Sequence, residues 1–410
     1  VSPTRTTSRD YANPHRPWLV RGLNHAWGAL GGLASPSLDP DDLLRAARNA
    51  ERLTDPGPDP WREPLERLVQ AIERESRLHP LGRQIVRTRL VNNLRARLAE
   101  QACFEQDPSI LQRAVPAPVF ITGLQRTGTT LLHRLLATDP RFRALRSWEA
   151  LRPSPLPRER SPDDRRRAAQ LAARAVGWLA PDFQAVHPIE PDAPEEEVIV
   201  LDQTFLSTVA EATLRVPSYS VWLEEQDQRP AYRMLRKVLQ LLDDGRTWVL
   251  KTPHHLEHLD ALLEVFPDAR FVHTHRDPVV TLGSFCSMVA HGHGLCTDQV
   301  DPHEIGQHWL RKTDRMLSRA LQVRDQRALT VHDVDYRALM HDPLGTVTAI
   351  YEFLGLPTTS ETERQLQAQL TESPQHKWGR HVYALADFGL DEATVARTHS
   401  AYRERFGLTA

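Results

Sequence analysis

Hydrophobic positions along this chain fall into two regimes. From Asp39 to about Gln106 they recur at helical spacing. LDPDDLLRAARNAERL opens on a DPDD start, and EPLERLVQAIERES and LGRQIVRTRLVNNLRARLAEQ continue the pattern. Their charge-rich opposite faces predict helices packed on one side of a core, as a scaffold or an oligomer surface. Further on, short apolar runs appear at APVFITG (117–123), TWVLKTP (247–253), ARFVHTHRD (269–277) and ALTVHDVDY (328–336), with helical segments such as HLEHLDALLEVF and VVTLGSFCSMVA between them. Apolar strands alternating with helices predict an α/β fold with a mostly parallel sheet covered on both faces. Residues 154–246 read as a long helical insertion with a basic, Pro-rich entry, PSPLPRERSPDDRRR. Insertions near strand C-termini commonly build the ligand pocket. The expected divisions are a disordered tail over 1–16, an N-terminal helical region over 17–112, an α/β domain over 113–395 and a C-terminal tail over 396–410.

Composition narrows the partners. The chain has 410 residues, 40% of them hydrophobic and 25% charged, with a net charge of −2. That balance gives no general pull toward nucleic acid or anionic membrane, so any bound anion must be met by local cations. The three cysteines, Cys103, Cys286 and Cys296, form no CxxC and argue against a disulfide framework or a zinc site. Nor do the 19 histidines, in HTH (273–275), HGH (291–293) and HLEH (255–258), make an HExxH-type metal set. The first residues lack an apolar leader core, and no run of ~18 apolar residues occurs, which predicts a cytoplasmic protein without a transmembrane segment.

The densest chemistry lies in PVFITGLQRTGTTLLHRLL (118–136). A strand, a glycine-bounded loop and an amphipathic helix follow one another, and Gly123-x-x-x-x-Gly128 matches a phosphate-binding loop. An ATPase would place Lys and then Ser/Thr after the second glycine; this chain has Thr129 and Thr130, with the cation moved inside the loop to Arg126. Backbone N–H groups and the helix dipole can converge there on one anion. The missing lysine disfavours a kinase or NTPase, and neither Asp333 nor Asp335 ends a clean apolar strand as a metal-holding acid would. A non-catalytic nucleotide-binding scaffold is the third reading.

Here the chain resembles the sulfotransferases that use 3′-phosphoadenosine 5′-phosphosulfate, in which a loop of the kind [Lys/Arg]-[Ser/Thr]-Gly-Thr-Thr holds the 5′-phosphosulfate. It reads Arg126-Thr127-Gly128-Thr129-Thr130. The arginine is similar to the bacterial and tyrosylprotein or glycan branches rather than the cytosolic aryl type. FVHTHRDPVVTLGSF adds Arg276 at a strand end and Ser284 eight residues later, the family's pattern for a 3′-phosphate site. Tyr336, in VDYRALMHDPLGTVTAIYEFLGLP, is the resemblance's candidate beside the adenine. Lys377, Arg380 and His381 form a basic segment that can close over the nucleotide. The resemblance covers roughly residues 117–391.

It also implies roles. Arg126 and the strand-end Lys251 would meet charge on the sulfuryl group, with no metal required. The cytosolic branch places its base in Lys-Thr-His, but residue 253 is Pro. In the tyrosylprotein-type and glycan branches a Glu after the first helix serves instead, and that resemblance implies Glu149, in SWEALRP, as the proton acceptor, with His187 and then His254 as alternatives and Glu195–Glu197 as an acidic lining. The implied acceptor is a hydroxyl on a small molecule, a glycan or a lipid. A homo-oligomer formed through the N-terminal helices is a further expectation.

Overall fold

The computed structural model describes residues 7–29, 35–157, 159, 161–372 and 381–408. Its centre is a sheet of five strands: β1 (Val119–Thr122), β2 (Phe142–Arg143), β3 (Thr247–Lys251), β4 (Arg270–His275) and β5 (Val331–Asp335). Their order is β2-β3-β1-β4-β5 and every pairing is parallel. In register, Val119 faces Val249 on one side and Arg270 on the other. The four apolar runs in the sequence are thus strands of one α/β sheet. β2 is two residues long and carries no run of its own.

Alternation along the strands sorts the core into two layers. Phe120, Trp248, Leu250 and Phe271 point to one face. They share a cluster with Leu43, Leu65, Leu68, Leu90, Leu94 and Leu98 of the N-terminal helices and with Val200, Tyr219, Leu235 and Val238 of the insertion. Val119, Ile121, Val249, Val272 and Val334 point to the other face, against Leu132, Leu135 and Leu136 of helix Thr129–Leu136 and Ile350 and Tyr351 of helix Pro343–Leu354. The N-terminal helices therefore spend their leucines on the core they share with the insertion, where helix Arg62–Glu75 packs on Pro217–Leu223 and helix Pro80–Gln106 on Asp202–Thr204. Helix Pro40–Glu51 begins as its sequence dictates, with the Asp39 carboxylate accepting from the N–H groups of Asp41 and Asp42. The insertion is helical as expected, including Pro162–Leu179, Pro181–Val186, Val209–Thr213 and Arg229–Leu241.

Both expected tails differ from expectation where they are described. Tyr11 and Arg16 are buried, and Arg16 Nη2 donates to the Thr297 carbonyl at 2.6 Å. At the other end, helix Glu392–Thr398 packs on helix Pro278–His293, and helix Ser400–Arg405 reaches the end of β4, where the buried Tyr402 hydroxyl meets His275 Nδ1 at 2.8 Å and Phe406 stacks on the same imidazole. Polar composition hid both anchors, because a few scattered apolar side chains do the packing in each. All three cysteines are free thiols. Among the described residues no helix is long and apolar enough to cross a membrane.

Candidate active site

Because all five strands run the same way, their C-terminal ends share one edge. Ligand sites of open parallel sheets gather outside such an edge. The loop after β1, Lys251 at the end of β3, Arg276 after β4 and Tyr336 after β5 all emerge there.

The loop's shape follows from three residues. Gly123 has φ 147°, and a Cβ there would lie 2.3 Å from Thr274 Oγ1 and 2.7 Å from the Thr274 carbonyl oxygen of the neighbouring strand. Only glycine permits that approach. Gly128, at φ 88°, is the N-cap of helix Thr129–Leu136. Thr127 is fully buried; its hydroxyl donates to the Leu124 carbonyl at 2.6 Å and meets Thr274 Oγ1 at 2.7 Å. Thr127 thus closes the loop upon itself and ties it to β4, leaving Thr129, Thr130 and the helix N-terminus to face a ligand. Arg126, at φ 70°, presents an exposed side chain above the loop.

Arg276 joins this group. Its Nη1 donates to the Arg126 carbonyl at 2.8 Å and its guanidinium lies over the Tyr336 ring, 3.9 Å from the centroid. The same ring approaches the loop, since a Cβ on Gly128 would sit 3.2 Å from Tyr336 Cδ2. Among the described residues, neither Arg126 nor Arg276 has a carboxylate partner, whereas Arg141, Arg143, Arg324 and Arg403 all do. Two unpaired guanidiniums beside a helix N-terminus mark an anion site.

Ser284 lies on helix Pro278–His293, which starts with Asp277 capping the Val279 N–H at 3.0 Å and Pro278 in the first turn. Ser284 Oγ meets His381 Nδ1 at 3.3 Å, and His381 Nε2 meets Ser287 Oγ at 2.9 Å. Burial, and then the nearby Arg126 charge, push the His381 imidazole down to about 3, so it is neutral at ordinary pH. His381 thus brings the C-terminal segment to this site. Lys377 and Arg380 fall outside the described residues.

On the β3 side, Lys251 is almost fully buried. Its ammonium pairs with the Glu196 carboxylate and lies 3.5 Å from Thr130 Oγ1, while its backbone N–H donates to Glu197 Oε2 at 2.8 Å. Glu197 also binds His255 Nε2, whose other nitrogen meets the Tyr232 hydroxyl at 3.0 Å. His255 and Glu197 are thereby consumed in holding the insertion to the strand end. Thr252 Oγ1 donates to Glu196 Oε2 at 3.1 Å.

A cavity of about 260 Å³ opens beside the loop. Arg126, Thr129, Thr130, Glu195, Glu196, Thr252, His187 and His254 supply its polar wall; Phe183, Val198, Ile199, Val209, Phe285, Met288 and Trp309 supply the apolar remainder. Burial, reinforced by the neighbouring His255 and Lys312, pushes His254 down to about 3. Glu149 is not on this wall. Its Oε1 pairs with Arg143 at 2.6 Å and its Oε2 accepts the Arg146 N–H at 2.9 Å, a capping box for the helix Ser147–Leu151. This geometry speaks against Glu149 as the proton acceptor. Sequence reasoning passed over the Lys251–Glu196 contact, for which the only signal was the acidic run 195–197. The HTH pair does assemble with Asp333, donor atoms within 4.8 Å. The cation there is Arg324, which holds Asp333 through both terminal nitrogens at 2.7 and 2.8 Å and meets His273 Nδ1 at 3.1 Å.

Known proteins share this arrangement. Residues 118–360 match the profile of the Sulfotransferase family. The sulfotransferase STF1 of Mycobacterium tuberculosis H37Rv superposes with a TM-score of 0.72 at 34% identity, over 88% of this chain and 98% of that one. STF9 of Mycobacterium avium gives a TM-score of 0.82 at 29% identity, over 90% and 97%. The omega-hydroxy-beta-dihydromenaquinone-9 sulfotransferase Stf3 of Mycobacterium bovis is 28% identical over 261 residues, which is 58% of this chain and 63% of that protein, so the chain spans under two thirds of that curated relative. On the profile match and on the superposition with STF1, the chain belongs to the sulfotransferase family.

Proposed function

We propose that the protein transfers a sulfuryl group from 3′-phosphoadenosine 5′-phosphosulfate to the hydroxyl of an apolar acceptor. The observation that carries this reading is the pair of guanidiniums, Arg126 and Arg276, that have no carboxylate partner among the described residues and lie beside the helix N-terminus at Gly128. The 5′-phosphosulfate is assigned to Arg126, the loop N–H groups and the Thr129 and Thr130 hydroxyls. The 3′-phosphate is assigned to Arg276 and Ser284, and the adenine to the side of Tyr336. In this reading Arg126 and Lys251 stabilise charge on the bridging and sulfuryl oxygens as the S–O bond breaks. His187, on the cavity wall, orients the acceptor hydroxyl.

The acceptor class follows from the wall. An anionic acceptor would meet Glu195 and Glu196, and a glycan would leave its hydroxyls unpaired against Phe183, Phe285, Met288 and Trp309. An apolar body ending in a hydroxyl suits both constraints. Pockets for whole small molecules run from about 300 Å³ upward, so this cavity suits a compact molecule or the hydroxyl end of a longer one. The acceptor printed in the name of Stf3, a hydroxylated menaquinone, has this character.

Labelled donor incubated with pools of apolar alcohols, phenols and sugars tests the reading. Label is expected in the apolar pools, with Arg126→Ala reducing transfer at least about 100-fold. The desulfated nucleotide is expected to raise Tm at saturation, since it binds only the native state. Label confined to sugars, or no shift in Tm, would count against the assignment.

A further inference from the structure

Lys251 is held by a carboxylate at the moment it faces the loop. Its ammonium is paired with Glu196 and stands 3.5 Å from Thr130 Oγ1, the hydroxyl on the phosphosulfate side. Glu196 itself is on the cavity wall with its second oxygen taking a hydrogen bond from Thr252. We propose that Glu196 takes the acceptor's proton, and that Lys251 keeps it occupied until the donor binds. This rests on the sulfotransfer reading above.

The alternatives on the wall are weaker. Burial disfavours a proton on His254. Glu195 is on the wall but makes its hydrogen bond to the Glu196 N–H, not to Lys251, so donor binding has no ammonium to draw away from it. Glu149 lies off the wall. Glu196 has burial pulling its carboxyl up and Lys251 pulling it down, and Lys251 together with Thr252 and the nearby His187 prevails. A phosphosulfate on the loop adds a second anion for Lys251 to serve. As the ammonium turns toward it, burial gains the upper hand and Glu196 becomes a better base in the loaded protein than in the empty one. The acceptor oxygen then attacks sulfur, the bond from sulfur to the bridging oxygen breaks, its electron pair leaves with the 5′-phosphate, and the hydroxyl proton passes to a Glu196 oxygen. Lys251 and Arg126 meet the charge on the departing oxygen.

Glu196→Gln tests this, because the amide oxygen can still accept from Lys251 and its NH2 can donate to Thr252 Oγ1, but it cannot take the proton. Transfer to hydroxyl acceptors should fall roughly 100- to 10,000-fold. Affinity for 3′-phosphoadenosine 5′-phosphate, read by calorimetry, should stay or tighten because Lys251 is less firmly held. Sulfuryl return from para-nitrophenyl sulfate to that nucleotide should fall much less than forward transfer, since the departing phenolate needs no proton, and Glu196→Asp should recover part of the forward rate. Forward transfer unchanged in Glu196→Gln overturns the assignment. So does a loss of nucleotide affinity in step with activity, which would make Glu196 a positioning residue. If the wild type neither binds the nucleotide nor transfers sulfur, the sulfotransfer reading falls first and this assignment with it.

Discussion

Arg276 does three things with one guanidinium. It donates to the Arg126 carbonyl, covers the Tyr336 ring and leaves its remaining donors for an anion. Arg276→Ala should therefore weaken nucleotide binding by roughly 10- to 100-fold, the worth of a lost charge-assisted hydrogen bond. Calorimetry with 3′-phosphoadenosine 5′-phosphate reads this directly. Arg276→Lys should recover little of it, because an ammonium cannot both stack and fork. This residue was legible in the sequence, since an arginine at a strand end followed by Asp-Pro has a local meaning. The environment of Glu149 was not legible. Its partner Arg143 comes from β2, a strand of two residues that exists only through its register with β3. Three consecutive acids, Glu195, Glu196 and Glu197, also take three different partners. No spacing rule separates them, because the sheet edge against which they lie decides.

At the scale of elements, the turn from β1 into helix Thr129–Leu136 depends on its glycines. A Cβ on Gly128 would adopt a left-handed φ and press to 2.9 Å from Leu339 Cδ2. Gly128→Ala should cost about 1–3 kcal/mol in stability and lower nucleotide affinity more than Tm suggests, because the anion-facing N–H groups would move. Chemical denaturation and calorimetry on the same sample separate the two effects. Four of the five strands were legible because each lies in an apolar run bounded by turn residues, whereas β2 has no such run. The two terminal anchors were not, since Tyr11 and the trio Tyr402, Phe406 and Leu408 are scattered among polar residues and bury by long-range contact.

The whole molecule stores several neutral imidazoles. Burial holds His79 and His293 at about 4, and His133, His254 and His381 at about 3. Unfolding returns each to about 6.5. Below that value the unfolded chain binds more protons than the native one, so stability is fully present above about pH 6.5 and falls as pH drops toward 4. Tm should therefore decline steadily from pH 7 to pH 5, before the carboxylates titrate. A flat Tm over that interval would show that these imidazoles are protonated in the native state. The shared core adds a second consequence at this scale. Deleting residues 1–112 would strip the shared core of the helices that pack on Pro217–Leu223 and Asp202–Thr204, so the truncated chain should aggregate rather than fold as a separate unit.

The contact between His381 and Ser284 extends further than the site. Tyr11 donates its hydroxyl hydrogen to Ser287 Oγ at 2.9 Å, and Ser287 in turn meets His381 Nε2. A neutral imidazole has one donor and one acceptor. With the imidazole hydrogen on Nδ1, the row runs in one direction: tyrosine to Ser287, Ser287 to Nε2, and the Nδ1 hydrogen to Ser284. In that tautomer Ser284 keeps its own hydrogen for the proposed 3′-phosphate. The phenol outside the nucleotide site biases the row this way without fixing it, since Ser287 has two lone pairs and can accept from both neighbours. Tyr11→Phe would remove the bias while keeping the packing, and the affinity for a 3′-phosphorylated nucleotide should drop relative to its unphosphorylated counterpart.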